Sequence, residues 1–243
     1  MSVGAKHQPV KLPRRPSPKI ERREQSGASI AERIYIELKA AIVAGTMGPG
    51  TPIDKNEIGM RFGASLSPVT MAINRLGYER LVRVEPQRGS FVAPIVVEDI
   101  LQLMGLRRAL EIEAACTALH RSSTKLIESL DRNLAYQAAA MQMSDIERFY
   151  ELDVAFHRLI IEASGLWKFN TVLDDVRSHL DRVRFLMLPE PGRMAGTFEE
   201  HSGIRAALAS RSVARVEKAM RRHLDRVEKE FHLFAKSYPT IVA

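Results

Sequence analysis

Apolar residues recur at every fourth position along the first patterned stretch of the chain. Ile30, Ile34, Leu38 and Ile42 follow Ser29 at helical spacing and run out at Gly45, so a helix is expected there. Gly48-Pro49-Gly50 makes a turn, and Asp54-Lys55-Asn56-Glu57 has the form of a capping box opening a short second helix that ends at Phe62. After Gly63-Ala64, Ser65 or Ser67 caps a third helix, whose first turn tolerates Pro68 because the missing N–H would lack a partner there anyway. Val69, Ile73 and Leu76 give that helix an inner face. Leu81–Val84 and Ser90–Ala93 then flank Glu85–Gly89 and read as a β-hairpin. From Val97 the strand signals stop, and helical stretches are expected at 98–120, 124–142, 144–164, 168–188, 197–210 and 212–236. Long amphipathic runs with short polar breaks describe an antiparallel bundle. The fold class is therefore mostly α: a winged helix-turn-helix over residues 28–95, then an all-helical unit over 96–238.

Charge sharpens this division. The chain has 243 residues and a net charge of +7, and residues 1–27, which lack periodicity, read as a disordered basic tail. That excess suits an anionic partner at the N-terminal end, and a merely solvated tail is the other reading. Cys116 is the single cysteine, which excludes an intrachain disulfide and fits a reducing compartment. No stretch resembles a signal peptide or a membrane span, so the protein is expected to be cytoplasmic and to have no membrane partner.

Three helices and a hairpin can serve double-stranded DNA, the third helix lying in the major groove while basic and backbone groups grip phosphate. The outward residues of that helix are Ser67, Thr70, Met71 and Asn74, and the hairpin tip carries Arg88-Gly89. A three-helix module for protein contacts is the alternative. The wording of the segment decides more: Pro49-Gly50, Ser65, Pro68-Val69, Ala72, Leu76, Leu81-Val82 and Arg88-Gly-x-Phe91-Val92 resemble the GntR family of transcription regulators. The resemblance implies DNA-binding roles for Ser65, Ser67, Thr70, Met71, Asn74, Arg75, Arg88 and Gly89, and a dimer on a near-palindromic operator. Leu66 and Thr70 stand where that family usually carries DNA-contacting Arg, and Arg80 stands at a usual Gly, so an altered operator is expected.

Of seven histidines, His7, His120, His179 and His232 lack a motif. Asp153 and His157, four apart, share one helical face at the edge of the stripe Leu152, Phe156, Leu159 and Ile160. His201 precedes Ile204 and Leu208 at helical spacing, and His223 lies between Met220 and Val227. Four polar groups on apolar faces are costly to bury unpaired, and one shared divalent ion accounts for them all, with Zn, Ni, Mn and Fe equally compatible. Arg107 shares a face with Ile100, Leu103, Leu110 and Ala114, so it either forms an internal salt bridge, snorkels, or receives a ligand.

Arg107-x-x-Leu110-Glu111, Asp153-x-x-x-His157, Glu200-His201 and Met220-x-x-His223-Leu224 resemble the FCD ligand-binding domain of FadR-subfamily GntR regulators. That resemblance implies metal ligands at Asp153, His157, His201 and His223 and effector contacts at Arg107, with Arg177 and Arg184 weaker candidates. The expected function is a DNA-binding regulator, a repressor, modulated by a small organic or sugar acid. The alternative is a metal-dependent hydrolase using the Asp/His set, against which no positioned general base is visible.

Overall fold

The computed structural model describes residues 28–121, 124–188, 190 and 192–237. The basic segment 1–27, with His7, lies outside them. Helix α1 (Ile30–Val43) starts at Ser29, whose side chain accepts from the Glu32 N–H at 3.2 Å. A short strand β1 (Pro52–Ile53) precedes α2 (Lys55–Phe62), which is capped by the Asp54 carboxylate accepting from the Asn56 and Glu57 N–H groups. Helix α3 (Leu66–Tyr78) begins after Ser65, which settles the choice of cap position against Ser67; the Ser65 side chain makes no capping hydrogen bond. Strands β2 (Val82–Glu85) and β3 (Gly89–Val92) form the expected hairpin. The sheet has one strand more than the sequence pattern suggests. β1 pairs antiparallel with β3, giving the order β1-β3-β2 with Pro52 opposite Phe91 and Ile53 opposite Ser90.

Six helices follow: α4 (Val97–Arg121), α5 (Thr124–Gln142), α6 (Ile146–Ser164), α7 (Trp167–Met187), α8 (Arg193–Ala209) and α9 (Val213–Ser237). The fifth of these begins four residues earlier than its apolar pattern suggests, because Gly192 in the left-handed conformation (φ 77°) already turns the chain at that point. Gly165, at φ 71°, does the same between α6 and α7.

The apolar faces pack into separate cores. Ile34, Leu38, Ile42, Val69, Ile73 and Leu76 bring α1 and α3 together under the sheet. In the bundle, Leu130, Phe156, Ile160, Ile204, Val216 and Met220 join α5, α6, α8 and α9. Helix α7 closes the bundle and touches the winged helix as well. His179 Nε2 lies 2.8 Å from the Glu79 carbonyl just past α3, and Arg182 donates from Nη2 to the Ala93 carbonyl just past β3 at 2.8 Å. No described helix is long and apolar enough to cross a membrane.

Arg80, between α3 and β2, is held at φ 56°, in the left-handed region that a side chain with a Cβ enters at a cost. The turn is set by the Leu81 N–H bonding back to the Leu76 carbonyl at 2.9 Å. Arg80→Gly should therefore raise stability by up to about 1 kcal/mol, the left-handed penalty less the extra backbone entropy of Gly. Urea unfolding of the two chains measures this, and a loss of stability would contradict the strain.

Candidate metal centre

Asp153 and His157 come from α6, His201 from α8 and His223 from α9, so three helices deliver one carboxylate and three imidazoles. All four side chains are buried. The rings stand close, with centroids 5.1 Å apart for His157 and His201, 5.2 Å for His157 and His223, and 4.9 Å for His201 and His223. One nitrogen from each lies within 4.8 Å of the other two. Phe156 stacks on His201 at 4.2 Å and walls one side.

Two of the outer nitrogens are hydrogen-bonded to acceptors, and the third lies close to a carboxylate. His201 Nδ1 meets Gln137 Oε1 at 3.0 Å, while the amide of Gln137 donates to Asn133 Oδ1 at 2.7 Å and that of Asn133 to the Leu152 carbonyl at 3.0 Å. Since the Gln137 nitrogen is a donor in this chain, its oxygen accepts and His201 carries its proton on Nδ1. His223 Nδ1 meets Glu200 Oε2 at 2.8 Å, and Arg226 donates to the other oxygen of Glu200 at 2.9 Å. His157 Nδ1 lies 2.8 Å from Glu111 Oε2. The three Nε2 atoms are buried and without hydrogen-bond partners, and the Nδ1 bonds of His201 and His223 leave the lone pairs of those two rings on Nε2. Burial pushes the imidazoles of His201 and His223 well below their ordinary range, the ring of His223 adding to this for His201 and that of His157 for His223. Neutral imidazoles with oriented Nδ1–H groups are the form that binds metal.

Asp153 stands beside them, with Oδ1 3.4 Å from His201 Nε2 and 3.9 Å from His157 Nε2. Donors each about 2.1 Å from one ion stand roughly 3–3.5 Å apart, a spacing that Asp153 meets towards His201 and exceeds towards His157. Its second oxygen is held by Arg184 at 2.9 Å. Burial alone would raise the Asp153 carboxyl; the charge of Arg184 instead holds it well below the usual range. Arg107 is buried and donates from Nε to Glu111 at 2.7 Å, which is the internal salt bridge among its possible roles. Burial likewise opposes ionisation of Glu111, and Arg107 overcomes it. Arg177 is half-buried, 3.0 Å from Asp174.

Beside the histidines lies a cavity of about 30 Å³ walled by Arg107, Glu111, His157, Arg177 and Arg184. A second of about 20 Å³ shares Arg107, Leu180 and Arg184 as walls. Sequence reasoning ranked Arg184 below Arg107 and missed Gln137 and Asn133 altogether. Their signal was present: Leu126, Leu130, Asn133, Gln137 and Ala140 are one buried stripe of α5, with two amides where apolar residues belong.

The DNA-facing candidates sit on the winged helix. Ser65, Ser67, Met71 and Asn74 are exposed and Thr70 is half-buried. Arg75 is bound back to α1 through Glu32 at 2.5 Å. Arg88 pairs with Glu85 at 2.9 Å at the hairpin tip, beside Gly89 at φ 111°.

Residues 102–226 match the FCD domain, and residues 30–92 match the bacterial regulatory proteins of the gntR family. Over 204 residues the chain is 29% identical to the HTH-type transcriptional repressor RspR of Escherichia coli (strain K12), across 82% of this chain and 88% of that protein. It is 26% identical over 179 residues to the gluconate operon transcriptional repressor of Bacillus subtilis (strain 168), across 74% of this chain and 72% of that one. The fold is similar to that of E. coli McbR/YncC, with a TM-score of 0.70 at 17% identity over 85% of this chain and 98% of that one.

Removing the acceptor for a buried His N–H tests the polar network. Gln137→Leu should lower stability by about 1–3 kcal/mol, the cost of leaving a buried donor unpaired. Denaturant unfolding checks this, and an unchanged midpoint would mean that His201 is oriented by something else.

Proposed function

Because the chain belongs to the gntR family of bacterial regulatory proteins and carries their FCD domain, we propose that it is a repressor whose hold on operator DNA is set by a small carboxylic acid bound beside a divalent ion in the helical bundle. Its relatives are transcription regulators rather than enzymes, so the hydrolase alternative falls away. The observation that carries the proposal is three buried histidines with a nitrogen of each within 4.8 Å of the others, their Nε2 atoms unpartnered and two of the rings hydrogen-bonded to acceptors through Nδ1. Asp153, His157, His201 and His223 would hold the ion, which would supply positive charge for a carboxylate. Arg107 and Arg177 line the adjoining cavity and add a planar fork that suits carboxylate over amine or neutral sugar. One relative is named for the gluconate operon, which supports a sugar acid among the candidates.

A cavity of about 30 Å³ holds a water molecule, and an organic acid needs several times that space. Entry must therefore displace Arg107, Leu180 or Arg184, whose movement joins the two small cavities. Leu180 and Arg184 belong to α7, the helix that also holds the winged helix through His179 and Arg182. The acid thus acts on the element that positions α3. The functional unit is a homodimer, since one winged helix reads a short half-site and two-fold symmetry doubles it.

Metal analysis of protein loaded with Zn, Ni or Mn should give one ion per chain, abolished in His201→Ala, and sedimentation should give a dimer. Calorimetry with a panel of organic and sugar acids should find one that binds only in the presence of the ion and about tenfold more weakly in Arg107→Lys, which keeps the charge and loses the fork. No ion in the loaded protein, or unchanged acid affinity in both variants, would refute the reading.

The link through α7 has its own test. His179→Ala should leave metal affinity intact and, by removing a contact that the acid would have to break, tighten acid binding while reducing the factor by which the acid changes operator affinity. Operator titrations with and without acid measure that factor, and an unaltered value would place the coupling elsewhere.

A further inference from the structure

Helix α3 carries one charged residue along its whole length, Arg75, and that charge is committed elsewhere. Its guanidinium bonds Glu32 at 2.5 Å, approaches Glu79 at 3.7 Å and lies over the Tyr35 ring at 3.6 Å. Glu79 is further fixed by the Tyr35 hydroxyl at 2.6 Å and Lys39 at 2.7 Å. Arg75 therefore ties α3 to α1, and reading a base would cost it the Glu32 pair and the Tyr35 ring together.

What α3 turns outward is neutral. Its buried side is Val69, Ala72, Ile73 and Leu76. The opposite arc, roughly 140° wide at 3.6 residues per turn, runs from Leu66 through Thr70, Asn74 and Ser67 to Met71. Leu66 is 52% and Met71 62% exposed, high for side chains of their size. Among the described residues, none of these five makes a side-chain hydrogen bond. The charges flank the arc: Arg83 and Arg88 share Glu85 on the hairpin, and Arg61 pairs with Glu37. Phosphate contacts can exchange those surface partners cheaply, which puts the backbone grip at the sides and leaves base reading to the neutral arc.

Base edges in the major groove offer few matches to such an arc. Guanine is read best by Arg or Lys, and the arc has neither. Asn is suited to a bidentate contact with adenine, and apolar side chains to the 5-methyl group of thymine. We infer that this face of α3 reads A·T pairs, with Leu66 and Met71 packing on thymine methyl groups and Asn74 pairing with an adenine. The occupant is duplex DNA, and specificity comes from methyl burial instead of charge-assisted hydrogen bonds. Each buried methyl is worth about a fourfold change in affinity, so the operator is recognised by several modest contacts.

The test uses the full chain. Selection from random duplex DNA should return half-sites whose central invariant positions are A·T pairs. Replacing one thymine at a time by deoxyuridine removes only the methyl, and binding should weaken about fourfold at the contacted positions. In Leu66→Ala or Met71→Ala the same replacement should cost nothing at the position that side chain covers, and melting temperature should be unchanged because both side chains are exposed. Asn74→Ala should lose discrimination at one adenine. Invariant G·C pairs at the centre of the half-site, deoxyuridine without effect at every thymine, methyl effects that persist in both variants, or no enriched sequence would each overturn the inference.

Discussion

Three imidazoles in the interior of a helical bundle impose one requirement on everything around them: their N–H groups must be paired. Burial disfavours the charged forms of His201 and His223, and an unpaired N–H costs about 1–3 kcal/mol. The chain meets this with a group from a different element beside each ring: Gln137 of α5 and Glu200 of α8 accept from His201 and His223, and Glu111 of α4 lies 2.8 Å from His157 Nδ1. Two of those groups are themselves buried carboxylates and require cations, which Arg226 and Arg107 provide; Asp153 takes Arg184. All six helices of the bundle are thereby referred to one polar centre. Apolar packing gives the bundle its stability, but Phe156 or Ile160 would accept several helix rotations, whereas a hydrogen bond of 2.8 Å accepts one.

The same logic explains what could be read from the sequence. Helix positions were legible because burial of one face imposes a period, and the stripe Val69, Ile73, Leu76 survives as the inner face of α3. β1 was not legible: two residues have no period, and Pro52–Ile53 is a strand only because β3 lies beside it. The start of α8 was misjudged because Met194 to Gly196 carry no strong stripe before Thr197. At the site, each ligand candidate announced itself as a polar residue on an apolar face. Which faces meet is a tertiary fact, so the pairing of Arg184 with Asp153 and of Gln137 with His201 required the fold. Arg107 illustrates the limit: its spacing told that it faced inward, and only the structure shows that Glu111 receives it at 2.7 Å.

Helix α7 divides its work by face. Arg177, Leu180, Asp181 and Arg184, spaced at three and four residues, line the cavity beside the histidines. His179 and Arg182 project from another side and meet the carbonyls that follow α3 and β3. Were the helix to turn as a rigid body when the proposed acid binds, a shift of one face would be carried to the other. The two acceptors are backbone groups at the ends of α3 and of the hairpin, so one helix holds both parts of the proposed DNA surface.

The strength of that lever can be bounded. A hydrogen bond from neutral His179 contributes about 0.5–1.5 kcal/mol, and one from a guanidinium about 1.5–3 kcal/mol. Burial lowers the affinity of Arg182 for its proton, to a pKa of about 10, so it stays charged near neutrality and its bond belongs to the stronger class. If both contacts existed in one orientation of the winged helix and neither in the other, the difference would be a few kcal/mol. Typical coupling energies between sites are about 1–3 kcal/mol, so these two bonds suffice without a longer chain of interactions. They also set the ceiling: an acid cannot change operator affinity through α7 by more than the contacts it breaks. On the proposed reading the same free energy acts in both directions, so operator DNA would alter acid affinity by the same factor, through the two carbonyls past α3 and β3.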